Sequence, residues 1–222
     1  MNPTFLFCGD SITEYGLRMN GWGHKLIDYM YPKRTPDIIN RAFAGYNTQW
    51  WCQQILPTLE IRPDCYNLTI ICFGTNDSVL PNNPKPYSYQ HVDIHEYRKN
   101  LESIIAKIKP NSKIVLLTPP ANDGEKYQKI KCGEPIRRRL DYTKLYVDVI
   151  LEIGCNKNLP AVDIFTCMQT EPNWSDRFLS DGIHLTPEGN QFVFNKIIEV
   201  VPAFQMNEPD PFLYWKQLCL ES

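Results

Sequence analysis

Much of what marks a nucleic-acid, metal or membrane protein is missing from this chain. Its 23 lysines and arginines nearly cancel 25 aspartates and glutamates, a net charge of −2, so no excess of one sign invites nucleic acid. No apolar run approaches the roughly 20 residues that cross a bilayer, and the N-terminus lacks the basic flank and long apolar stretch of a secretory signal. A protein without a membrane span, residing in the cytoplasm, is expected. Cysteines at 8, 52, 65, 72, 132, 155, 167 and 219 never form a CxxC pair, which argues against a zinc cage or a dithiol redox centre. Cys8 and Cys72 fall inside apolar runs, where a thiol acts as a small hydrophobe, so free thiols are expected. The phosphate loops GxxxxGK(S/T) and GxGxxG are absent, and no internal repeat or low-complexity tract occurs. What is present is 222 residues with 43% apolar character, enough for one sizeable core, so a single domain over 1–222 is the simplest organisation.

Short apolar runs recur at Thr4 to Cys8, Asp37 to Asn40, Leu68 to Phe73, Ile114 to Leu117 and Ala161 to Phe165. Between them lie stretches of helical period. Leu101, Ile104, Ile105 and Ile108 keep the i, i+3, i+4, i+7 spacing, which predicts a helix over Tyr97 to Lys109 that stops at Pro110. Further helices are predicted from about Ile136 to Gly154 and Gly189 to Val201, and over Trp50 to Leu59 and Gly23 to Met30. Runs that are apolar throughout are buried on both faces, and strands separated by helices imply parallel crossovers. A three-layer α/β/α sandwich follows. In such sheets ligands bind beyond the carboxyl ends of the strands, where the strand order reverses. Three polar, glycine-containing strand exits lie at Gly9-Asp10-Ser11, Ala44-Gly45-Tyr46-Asn47 and Gly74-Thr75-Asn76-Asp77. The segments Val79 to His95 and Pro119 to Pro135 read as irregular and long enough to be binding loops or lids. The tail over 203–222 holds Phe212, Tyr214 and Trp215, and is expected to pack on the body or on a second subunit of a homodimer.

A serine hydroxyl needs a neighbouring base, and that base needs a partner that sets its tautomer. Asp181-Gly182-Ile183-His184 places a carboxylate three residues before an imidazole, just ahead of the Thr186-Pro187-Glu188-Gly189 helix start. One turn can set Asp181 against one ring nitrogen and leave the other free to face Ser11. The oxygen of an attacked carbonyl becomes negative and needs fixed donors, which the Ser11 N–H, the Gly45 N–H and the Asn76 amide can supply. Asp10, Tyr46 and Asn47 flank these donors and are expected beside the substrate.

Gly9-Asp10-Ser11-Ile12, Gly45, Gly74-Thr75-Asn76-Asp77 and Asp181-Gly182-Ile183-His184 resemble, in order, the four blocks of the SGNH (GDSL) hydrolase family. Gly21-Trp22-Gly23, Asn40-Arg41, Gly45-Tyr46-Asn47-Thr48 and Tyr214-Trp215 further resemble its isoamyl acetate-hydrolysing esterase branch. The resemblance implies a flavodoxin-like sheet of five parallel strands and hydrolysis of short-chain esters through an acyl-serine, with no cofactor and no metal. It implies Ser11 as nucleophile, His184 as base, Asp181 as its orienting acid, and Ser11, Gly45 and Asn76 as the oxyanion hole. The absence of GxSxG agrees, since the strained nucleophile elbow of the α/β-hydrolases is then not available. The implied partner is a small-molecule ester.

Plainer readings stand beside these. Ser11 alone suits a helix N-cap, Asn76 a turn and Gly45 a turn glycine. His91 and His95, four apart, can share a helix face, but the glutamate and third ligand of an HExxH site are missing. Arg137-Arg138-Arg139 reads as solvated surface, and one of Trp50 and Trp51 is expected to wall the pocket. The same triad can serve acyl transfer or deacetylation, and a noncatalytic flavodoxin-like binding module is the alternative from another class.

Overall fold

The computed structural model describes residues 3–30, 36–59, 66–108, 112–132 and 134–201. The aromatic tail over 203–222, the Pro110 stop, Cys65 and Cys219 lie outside them. The strands are β1 (Thr4–Gly9), β2 (Asp37–Ala42), β3 (Leu68–Cys72), β4 (Lys113–Leu117) and β5 (Ala161–Val162). They form one parallel sheet in the order β2-β1-β3-β4-β5. This is the flavodoxin-like order, and its reversal point lies between β1 and β3.

Side-chain alternation along β1 explains the three layers. Phe5 and Phe7 point to one face, against Trp22 and Leu26 of α2 (Trp22–Met30) and Val193 and Ile197 of the C-terminal helix Pro187–Val200. Leu6 and Cys8 point to the other, where Trp51 of α3 (Thr48–Gln54), Leu101 and Ile104 of α4 (Ile94–Ile108) and Ile150 of the helix Leu140–Lys157 cover them. Each such fully buried apolar side chain stabilises the fold by roughly 1.5–3 kcal/mol. The helix predicted from the 101/104/105/108 spacing is α4, with Tyr97 also buried on that stripe. No helix among the described residues is long and apolar enough to cross a membrane.

Several elements differ from the sequence expectation for identifiable reasons. β2 is an edge strand with half of its residues exposed, so burial on both faces holds for β1 and β3 but not for it. β5 ends at Val162 because Asp163 caps a helix in place of continuing the strand: its Oδ1 accepts the Thr166 N–H at 2.9 Å. The stretch from Pro119 to Pro135 is not wholly irregular, since Asp123 caps α5 (Gly124–Ile130) with a bond from Lys126 N at 2.9 Å. The next helix, α6 (Leu140–Lys157), starts later than about Ile136. Arg137 is held outside it by its carbonyl, which accepts the Leu80 N–H at 2.9 Å.

Register sets the position of the chemistry. Gly9 pairs with Ala42 on one side and with Cys72 on the other, so β1, β2 and β3 end level. Ser11, Gly45 and Asn76, a few residues beyond those ends, therefore emerge along one edge of the sheet.

Candidate active site

Asp10 follows β1 and caps α1 (Ser11–Gly16): its Oδ1 accepts the Ile12 N–H at 2.9 Å. Ser11 is then the first helical residue and not the cap. Its backbone N–H is one of the orphan donors that open every helix, and its hydroxyl is left for a tertiary partner. That partner is His184, whose Nε2 lies 3.1 Å from Ser11 Oγ across 173 residues of chain.

His184 sits on a tight turn before the C-terminal helix Pro187–Val200. Asp181 Oδ1 accepts the backbone N–H groups of Ile183 at 3.0 Å and His184 at 2.8 Å, while its Oδ2 faces His184 Nδ1 at 2.7 Å. Burial of Asp181 disfavours its charge, yet the hydrogen bonds from the His184 ring and backbone outweigh that and hold the carboxyl well below the usual range. An ionised carboxylate can only accept, so Nδ1 carries the ring proton and the lone pair of Nε2 faces Ser11. Gly182 makes the turn possible. Its φ is +86°, and a Cβ there would lie 2.3 Å from the Asp123 carbonyl oxygen at the start of α5.

The other two strand exits complete the floor. Gly45 takes φ +82°, and its carbonyl accepts Gln90 Nε2 at 3.0 Å. Asn76 is buried, donates Nδ2 to the Tyr46 carbonyl at 2.8 Å and accepts at Oδ1 from Arg138 Nη2 at 2.8 Å. Ser11, Gly45, Asn76 and His184 line one cleft of about 330 Å³.

Asp10, Tyr46 and Asn47, expected beside the substrate, do not line that cleft. Asp10 and Asn47 are fully buried and cap the helices that carry the site. Asn47 accepts Trp50 N at 2.8 Å and donates to the Gln90 carbonyl at 2.9 Å, so it ties the second exit to the loop before α4. Tyr46 turns its ring to Phe43 and Trp50 and presents its carbonyl to Asn76. Trp51 packs in the core against Phe73, and Trp50 is half-buried away from the cleft. His91 precedes α4 and His95 lies in its first turn, so the two do not share a helix face. Among the described residues no group of three or more His, Cys, Asp and Glu side chains is placed to hold a metal ion.

The arginine triplet is the main correction. Arg139 is exposed and pairs with Asp141, but Arg137 and Arg138 are buried and line the cleft. Arg137 pairs with Glu134 and lies over the Tyr87 ring, 3.1 Å from its centroid, which joins the two long segments flagged as binding loops. Tyr15, Gln90, Tyr127 and Ile183 also face the cleft. Gln90 and Tyr127 come from those two segments, whose length and polarity were the available signal. Nothing in three consecutive arginines distinguishes the two that are buried.

Asp77, beside Asn76, is fully buried, and its Oδ1 accepts Thr48 N at 2.8 Å and Thr48 Oγ1 at 2.5 Å. Burial pushes its carboxyl up to about 7; the Thr48 bonds oppose the rise and the nearby Asp10 adds to it. A folded-state value above the unfolded one stabilises the fold at low pH, fully below about pH 4, and that contribution is lost as pH rises through 7. Asp77→Asn keeps an acceptor for both Thr48 bonds and removes the ionisation. Thermal melts from pH 4 to 8 should show the variant gaining on the parent chain by roughly 1–4 kcal/mol toward pH 8. Parallel curves across that range would refute this origin of the pH dependence.

Residues 7–192 match the sequence profile of the GDSL-like Lipase/Acylhydrolase family. The chain is 32% identical over 227 residues to the human isoamyl acetate-hydrolyzing esterase 1 homolog, covering 98% of this chain and 88% of that protein. It is 35% identical over 205 residues to a GDSL esterase/lipase of Arabidopsis thaliana, covering 87% and 83%. Among solved structures, a lipase/acylhydrolase from Enterococcus faecalis superposes with a TM-score of 0.70 at 20% identity, covering 94% of this chain and 100% of that one. A mutant of an acetyl-xylooligosaccharide esterase from Geobacillus superposes at 0.66 and 21% identity, covering 89% and 93%.

Proposed function

The chain belongs to the GDSL-like lipase/acylhydrolase family, whose members are ester hydrolases, and from that premise we propose that it cleaves short-chain carboxylic esters of acetate type through an acyl-serine on Ser11. The observation that carries this reading is the run of contacts from Ser11 Oγ to His184 Nε2 and from His184 Nδ1 to Asp181 Oδ2.

In this reading His184 Nε2 takes the Ser11 hydroxyl proton as Oγ attacks the ester carbonyl carbon. The oxygen that becomes negative is met by the Ser11 N–H, the Gly45 N–H and Asn76 Nδ2, all fixed before the reaction starts. Asp181, already ionised, stabilises the imidazolium while it lasts. The carbon–oxygen bond to the alcohol breaks, and His184 returns its proton to the leaving oxygen. Water then enters and gives a proton to His184 as its oxygen bonds to the acyl carbon; the bond from that carbon to Ser11 Oγ breaks, His184 returns the proton to Oγ, and the acid is released. No step calls on a metal or cofactor.

The cleft volume, about 330 Å³, lies at the low end of small-molecule sites and supports a short acyl chain. The relatives named for isoamyl acetate point to the same class. The partner is then a small neutral ester, and a cytoplasmic setting suits the free thiols Cys8, Cys52, Cys72, Cys132, Cys155 and Cys167. Hydrolysis of p-nitrophenyl esters of rising acyl length tests the reading. Acetate and propionate should be fastest, with kcat/KM roughly 10-fold or more lower at octanoate. A profile that rises with chain length would overturn the short-chain assignment, and acid-quenched enzyme without acyl label on the Ser11 peptide would overturn the acyl-serine.

A further inference from the structure

We propose that Arg138 is a positioning residue for the oxyanion pocket, acting through the Asn76 amide; the inference rests on the esterase reading above. A guanidinium has five donors and no acceptor. Arg138 places Nη2 2.8 Å from Asn76 Oδ1 and Nε 2.5 Å from the Thr75 carbonyl, so its fork holds both the side chain and the backbone at the exit of β3. This settles which end of the Asn76 amide faces which way. Oδ1 must turn to the guanidinium, and Nδ2 must turn to the Tyr46 carbonyl at 2.8 Å, with its second N–H left for the cleft.

The flipped amide is disfavoured at both ends. It would set an NH₂ against a cation that can only donate, and an oxygen against the Tyr46 carbonyl oxygen. Tyr46 alone exerts one neutral hydrogen bond on the choice, whereas the Arg138 bond is charge-assisted and the stronger of the two. Gln90 adds a longer contact to Oδ1 at 3.4 Å while holding the Gly45 carbonyl at 3.0 Å.

Burial and charge point the same way. Arg138 is 5% exposed, and among the described residues it forms no ion pair, unlike Arg137 with Glu134 and Arg139 with Asp141. A cation taken out of water with no carboxylate in direct contact is costly, Asp10 and Asp181 favouring its charge only from beyond ion-pair distance, and an apolar side chain would fill the same space at less expense. Behind Asn76 the guanidinium polarises the amide toward the site where the ester oxygen becomes negative. That interaction strengthens between ground state and transition state, so its loss should appear in kcat and not in KM.

The test is a double-mutant cycle on a neutral aryl acetate, with Ser11→Ala as the blank. Arg138→Met should lower kcat roughly 10–100-fold with KM within about 3-fold, and Asn76→Ala should lower it roughly 10²–10³-fold. The double variant should be no slower than Asn76→Ala alone, within about 3-fold, because Arg138 acts through the group already removed. Multiplying losses, or an Arg138→Met enzyme as fast as the parent chain, would show that Arg138 packs the fold or awaits an anionic substrate instead. If Arg138→Met does not fold, Arg138→Lys, which keeps the charge but not the fork, enters the same cycle with the same expectation. Activity in Ser11→Ala would remove the esterase reading itself, and additive losses over an inactive Ser11→Ala would remove this inference alone.

Discussion

Ser11→Ala should melt within about 1 kcal/mol of the parent chain while its turnover of a short-chain aryl acetate falls roughly 10⁴-fold or more. The two halves of this result have separate causes. Ser11 is the first residue of a helix that Asp10 caps, and alanine is a good helix former there. The hydroxyl has one hydrogen bond, to a half-buried imidazole that solvent in the cleft can satisfy. Stability therefore has little to lose. In the proposed mechanism chemistry loses the atom that attacks, and with it the covalent route; what would remain is catalysis by an empty oxyanion pocket and by binding. The measurement is kcat on p-nitrophenyl acetate beside a circular-dichroism melt of the same sample. Wild-type turnover in a folded Ser11→Ala protein would sink the nucleophile assignment.

His184→Ala comes second in expected size, with a loss of roughly 10⁴-fold or more in kcat at neutral pH. In the proposed mechanism, loss of the imidazole leaves the Ser11 proton with no acceptor at Oγ and the leaving alcohol with no donor. Asp181→Asn should be milder, roughly 10²–10⁴-fold, because the amide oxygen can still accept from the Ile183 and His184 N–H groups that shape the turn. Its fault is electrostatic. The amide is neutral, so the imidazolium is no longer stabilised, and an NH₂ turned toward Nδ1 selects the tautomer whose proton sits on Nε2, facing Ser11. Reading all three variants on one substrate gives the order that checks the relay. An Asp181→Asn enzyme slower than His184→Ala would mean that Asp181 does more than orient and stabilise the ring.

The legible parts of the chain were those whose partners lie near them in sequence. The stripe of α4 could be read because Leu101, Ile104, Ile105 and Ile108 share a face by helical period alone. Asp181 and His184 could be paired because three residues of turn bring them together. The errors came where a neighbour distant in sequence decides. The run expected at Asp37 to Asn40 is a strand that extends to Ala42, yet half of its residues are exposed, since no strand follows it at the edge. Ala161 to Phe165 reads as one apolar run, but the side chain of Asp163 closes a helix start in its middle. Asn47, expected from the sequence beside the substrate, is a buried cap that ties the second strand exit to the Gln90 loop.

From the sequence alone came the first four strands, the long helices, the polar glycine-bearing exits of the first three strands and the local Asp181–His184 turn, because each depends on contacts within a few residues. Long-range packing sets the rest: β1, β2 and β3 end level, His184 crosses 173 residues of chain to stand 3.1 Å from Ser11, and Arg138 lies behind Asn76 while Arg139 faces water. Register and burial are properties of the whole packed chain. A side chain's own neighbours in sequence do not determine which distant groups will exclude water from it.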